Sequence, residues 1–119
     1  MVKIRAISEQ QALNCLESGE FASDIISSNT NVAVVLTQSW CPQWMAMEEM
    51  IEDIDDQNID VWSFIYDRSK IFDQFLEFKE NVLGNDEIPY IRYYRDGVLV
   101  DQTNAVDIER FLEILQPEA

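Results

Sequence analysis

The tightest constraint on this chain is a single junction between two patterns. Val32-Ala33-Val34-Val35-Leu36-Thr37 is β-branched and almost wholly apolar, the composition of a strand buried on both faces. It runs into Ser39-Trp40-Cys41-Pro42-Gln43-Trp44. Beyond that, Met47, Met50, Ile51 and Ile54 recur at helical spacing, while Glu48, Glu49, Glu52, Asp53 and Asp56 hold the other face. Cys41 therefore stands where a central strand ends and a helix begins. Pro42 falls at the first helical position, where its fixed φ fits and its missing N–H costs nothing. A thiol so placed meets unpaired N–H groups and the positive end of the helix dipole, and both favour the thiolate.

The rest of the chain supplies further strands and covering helices. Val2 to Ile7 suggests a first strand. Ser8-Glu9-Gln10-Gln11 has the form of a capping box opening a helix with Ala12, Leu13 and Leu16 on its apolar stripe and Gly19 as its stop. Cys15 lies beside that stripe as a small buried thiol. Phe21, Ala22, Ile25 and Ile26 suggest a second helical segment. The acidic helix after Cys41 extends to about Gln57, and a strand follows over residues 60–67. Ile71, Phe72, Phe75, Leu76, Val82 and Leu83 line a helix ending at Gly84. Pro89 opens a strand over residues 90–94, Asp96-Gly97 marks a tight hairpin into Val98-Leu99-Val100, and Ile108, Phe111, Leu112 and Leu115 form a closing helix before Pro117. The order is β-α-β-α-β-α-β-β-α, an α/β fold with a mixed sheet flanked by helices on both faces.

Composition excludes several classes of function. With 119 residues one domain over residues 1–119 is expected, able to bury roughly two thirds of its unfolded surface. Acidic residues number 23 against 8 basic, a net charge of −15, which disfavours nucleic acid and anionic membranes and suits a basic protein surface. Two cysteines do not make a disulfide scaffold, and a cytoplasmic, reducing location suits them. There is no histidine, so Cys–His and Ser–His–Asp activation and His-containing metal sites are absent. Cys41 with Met45, Met47 and Met50 offers soft ligands for Cu(I), but Met47 and Met50 fall on the apolar stripe, where methionine is ordinary filler. The acidic run over residues 53–60 lacks the glycine and final glutamate of a calcium loop. No metal or other cofactor is expected.

At Trp40-Cys41-Pro42-Gln43-Trp44 and at Ile88-Pro89 the chain resembles the thioredoxin family, whose Trp-Cys-x-x-Cys and cis-proline these residues match in order. The resemblance implies a thioredoxin-like fold. It also implies Cys41 as nucleophile, a groove shaped by Pro89, backbone pairing of Ile88 with an extended peptide, and Trp40, Pro42 and Trp44 around the thiol as partner-binding residues. Three departures matter. Trp44 replaces the second, resolving cysteine; Val35 replaces the buried aspartate; Ser63 stands near the position of that aspartate's lysine partner. A mixed disulfide on Cys41 must then be released by an outside thiol. The leading expectation is a monothiol protein forming mixed disulfides with a protein or low-molecular-weight thiol. The alternative is a non-catalytic binding module on the same scaffold. A glutathione-dependent version is disfavoured because only Arg68 and Lys70 offer positive charge to its two carboxylates.

Overall fold

In the computed structural model, which describes residues 1–117, the strands are β1 (Ile4–Ala6), β2 (Asn31–Thr37), β3 (Ile59–Ile65), β4 (Tyr90–Arg95) and β5 (Val98–Thr103). The helices are α1 (Glu9–Ser18), α2 (Ser23–Ile26), α3 (Pro42–Glu52), α4 (Phe72–Asn81) and α5 (Ile108–Leu115), with a 3₁₀ turn at Tyr66–Arg68. The sheet order is β1-β3-β2-β4-β5. β2 pairs parallel to β3 on one side and antiparallel to β4 on the other, and all seven of its residues are buried. The doubly covered central strand expected from its apolar run is thus the middle of a mixed five-stranded sheet.

Strand alternation divides the interior into two layers. Val32, Val34 and Leu36 face one side, with Ala12 and Cys15 of α1, Ile25 of α2 and Phe75 and Phe78 of α4. Ala33 and Val35 face the other, with Cys41, Trp44, Met47 and Ile51 at α3 and Phe111, Ile114 and Leu115 of α5. The two cysteines therefore lie on opposite faces of the sheet.

Local signals act where expected. Ser8 Oγ accepts from the Gln11 N–H at 3.1 Å, Gln11 Oε1 accepts from the Ser8 N–H at 2.9 Å, and Gly19 closes α1 at φ 86°. Asp96 and Gly97 both take positive φ, 51° and 77°, between the paired residues Arg95 and Val98. That is the backbone a two-residue hairpin requires.

Other boundaries differ from the sequence reading. β1 spans three residues rather than six; Val2 and Ile7 instead donate to the carbonyls of Ile54 and Ser63. α3 stops at Glu52, not Gln57. The run Asp53-Ile54-Asp55-Asp56 would add negative charge at the negative end of the helix dipole, and aspartate is a poor interior helix residue. Met50 is 52% exposed rather than core, because Trp44, Met47 and Ile51 define the buried stripe and leave it on the flank. Val82 is likewise exposed, lying just past the end of α4.

One polar network crosses the first layer. Arg92 is 5% exposed and donates to the hydroxyls of Tyr94 (2.8 Å) and Tyr90 (2.9 Å) and to the Glu20 carboxylate (2.6 Å). Glu20 also accepts from the Tyr94 hydroxyl and the Phe21 N–H, both at 2.7 Å. Burial opposes the guanidinium charge, but Tyr94, Glu20 and Tyr90 more than offset it and hold the group above its ordinary pKa. Removing one member of such a set strands a buried charge. Glu20→Ala should lower unfolding free energy by about 3 kcal/mol, whereas Glu113→Ala, which breaks the exposed pair with Arg110, should cost less than about 1 kcal/mol. Urea denaturation of both variants checks this; equal losses would show that the network adds nothing.

Candidate functional site

The turn between β2 and α3 is tied down at several points. The Cys41 N–H donates to the Gln38 carbonyl (3.2 Å), and the Met45 N–H donates to the Cys41 carbonyl (3.2 Å), opening α3 with Cys41 as N-cap and Pro42 at the first position. Ser39 donates from its backbone N–H (2.8 Å) and its hydroxyl (2.6 Å) to the Asp67 carboxylate, one oxygen each. Gln38 donates to the Tyr66 hydroxyl at 3.2 Å and accepts from the Trp40 indole N–H at 2.7 Å. The 3₁₀ turn after β3 thereby anchors the turn after β2. Nothing in the local sequence marks Gln38, Ser39, Tyr66 and Asp67 as partners. The available signal is topological: both turns end neighbouring parallel strands.

At this junction Cys41 is 1% exposed and Trp44 3%, both within the second core layer, whereas Trp40 is 62% exposed. Trp44 is thus a packed core residue, while Trp40 stands in solvent, held by Gln38. Pro42 and Gln43 are exposed. The thiol makes no helix-capping hydrogen bond; Sγ lies 3.7 Å from Gln43 Oε1, at the reach of an S–H donor. No acidic residue occupies the first turn of α3. Glu48, seven residues from Cys41, is about 10 Å along the axis, comparable with the screening length at physiological salt. Burial, then Glu52 and Glu49, raise the Glu48 pKa, so the crowding of like charge falls on the far half of the helix.

Beside the turn, the Ile88–Pro89 peptide bond is cis. Pro89 is buried, and Ile88 is half-buried at the end of the sheet, packing against both core layers. Its flanks are pinned. Lys79, 1% exposed, donates to the carbonyls of Glu87 (2.7 Å) and Asn85 (2.9 Å). Asn104 donates to the Pro89 carbonyl at 3.1 Å. Burial pulls the Lys79 ammonium below its ordinary pKa, against Glu80, Asp86 and Glu87, which raise it. Ile88 itself makes no hydrogen bond among the described residues. Lys79 and Asn104 give no sequence signal of this role, since each acts on a carbonyl brought to it by tertiary folding.

The positions that depart from the family pattern are also resolved. Val35 and Ser63 are register partners on β2 and β3, and Val35 lies in the Cys41 layer. This layer is largely apolar, its polar exceptions including Ser63 beside Val35 and Thr37, whose buried Oγ1 has no partner among the described residues. Cys15, on the opposite layer, is fully buried. Burial and then Glu20 push its thiol from 9.0 to about 12, with Arg92 pulling the other way. The folded chain thus keeps the Cys15 proton where the unfolded chain releases it. This contribution to stability is whole below pH 9.0 and is lost as pH rises toward about 12. The stability gap between the wild type and Cys15→Ala should narrow across that window in urea titrations. A gap independent of pH would remove the argument.

Trp44→Cys, which would set a second thiol one helical turn from Cys41, also deletes a buried indole. It should cost roughly 3–5 kcal/mol, measured by urea denaturation. A near-neutral result would mean that the layer collapses around the smaller side chain.

No protein-family model and no curated protein matches this sequence. Solved structures do. Thioredoxin F from spinach chloroplast (long form) superposes with a TM-score of 0.69 at 13% identity, covering 96% of this chain and 84% of that one. Thioredoxin from Plasmodium falciparum gives 0.66 at 17%, covering 98% and 100%. A mutant thioredoxin from Halobacterium salinarum gives 0.63 at 17%, covering 97% and 87%. The chain has the thioredoxin fold.

Proposed function

We propose that this thioredoxin-fold chain is a monothiol protein whose Cys41 exchanges with disulfides and which has no dithiol reductase cycle. The observation that carries the reading is the placement of Cys41 as the N-cap of α3, with Trp44 in place of a resolving thiol and Cys15 across the sheet. In the exchange the Cys41 thiolate attacks one sulfur of a partner disulfide. The partner S–S bond breaks as the Cys41–S bond forms, and the departing sulfur leaves as a thiolate that takes a proton from water. A second thiol from solution then attacks the mixed disulfide and releases Cys41. Val35 leaves no carboxylate behind the sulfur, so the Cys41 proton goes to water. Pro42 and the exposed Trp40 contribute the partner-facing surface, Ile88 the backbone for pairing, and Pro89 the wall of the groove.

The 1% exposure of Cys41 favours a second reading, a binding module that uses the same groove without redox chemistry. A small aromatic disulfide reagent separates the two. The monothiol reading expects folded Cys15→Ala protein to release one equivalent of aromatic thiolate in native buffer. It also expects no catalytic reduction of insulin with a thioredoxin reductase system, and loss of all mixed disulfide in Cys41→Ser. Release only at the rate of global unfolding, with partner binding unchanged by Cys41→Ser, would transfer the case to the binding module. Sustained insulin turnover would overturn both.

A further inference from the structure

A cleft of about 530 Å³ lies between α3 and the start of α5. Gln43, Ala46, Met47 and Met50 of α3 line one side, and Val106 to Glu109 the other. Met50 is 52% exposed, and methionine is the side chain best able to reshape around a varied apolar partner. The two charged residues that line the cleft, Asp107 and Glu109, are both acidic. Glu49 and Glu52 of α3 do not line it; they border a separate depression together with Lys3. Between residues 104 and 116 the only cation is Arg110, already paired with Glu113 at 2.7 Å.

From an apolar cleft edged by Asp107 and Glu109 on a chain of net charge −15, we infer that this face docks a basic amphipathic helix of a protein partner, aliphatic side chains in the cleft and Lys or Arg against those two carboxylates. The cleft has the volume of ordinary ligand pockets, enough for a few aliphatic side chains. An apolar groove that receives one face of a helix is an established mode of recognition. Opposite charge around it raises the association rate and selects the partner. A second copy of this chain is repelled, because it brings the same acidic face and a net charge of −15. Anionic membranes and nucleic acid are repelled for the same reason. The cleft begins at Gln43, whose amide oxygen neighbours the Cys41 sulfur, but the inference requires no chemistry at Cys41.

The test uses the full chain under reducing conditions and an 18-residue leucine/lysine peptide that forms an amphipathic helix and contains no cysteine, so its failure would leave the thiol reading untouched. Fluorescence anisotropy measures affinity, and amide chemical shifts locate the peptide. Controls are the leucine/glutamate counterpart and a leucine/lysine peptide of equal composition scrambled to lose its apolar face. The discriminating variants are Met50→Glu and Ala46→Glu, both at exposed positions, with circular dichroism to check folding. Each adds negative charge, so attraction by the acidic surface alone would tighten binding. Seating in the cleft requires at least a tenfold weakening in both variants, shifts centred on Ala46, Met50 and Val106, and little binding of either control. Unchanged or tighter binding in the variants, shifts spread over the acidic surface, or equal binding of the scrambled peptide would overturn the inference.

Discussion

Every other element of this protein is placed relative to β2. A strand paired on both edges and covered on both faces cannot expose a backbone polar group or a side chain without loss. Its seven buried residues therefore fix the sheet order, the two core layers and the position of the turn that follows. Alternation along β2 sends Val34 and Leu36 to one layer and Val35 to the other. Cys41 enters the second layer because α3 begins immediately beyond the strand and packs across that face.

The site is built from polar restraints around an apolar centre. Asp67 holds Ser39, Tyr66 and Gln38 hold Trp40, and Lys79 and Asn104 hold the segment leading through Pro89. None of these groups hydrogen-bonds to the sulfur. Cys41 shares a largely apolar cluster with Val35, Trp44 and Ile91. The arrangement fixes the backbone of a thiol site and leaves the thiol with the Gln43 amide oxygen as its polar neighbour. Around the buried thiol, Trp40 and one flank of α3, with Met45 and Met50, remain exposed.

Much of this was legible along the chain. The strand–Cys41–Pro42–helix junction, the Ser8–Gln11 capping box and the Asp96-Gly97 hairpin are local devices, each set by residues within a few positions of one another. The end of α3 was less legible, because charge crowding at residues 53–56 competes with a hydrophobic period that continues through Ile54. Met50 and Val82 were misplaced for a related reason. Periodicity identifies an apolar stripe but not its centre, which is set by the surface the helix packs against.

The central strand, the placement of Cys41 at a helix start, the absence of histidine chemistry and the acidic surface all follow from the chain alone, because each depends on composition or short-range pattern. Tertiary structure decided that Cys15 and Cys41 lie on opposite faces of the sheet, that Trp44 is core while Trp40 is exposed, and that Glu20 meets Arg92. It also made Asp67 and Lys79 anchors of the site. These outcomes join residues far apart in the chain, and such contacts acquire an energy only when the sheet brings their elements together.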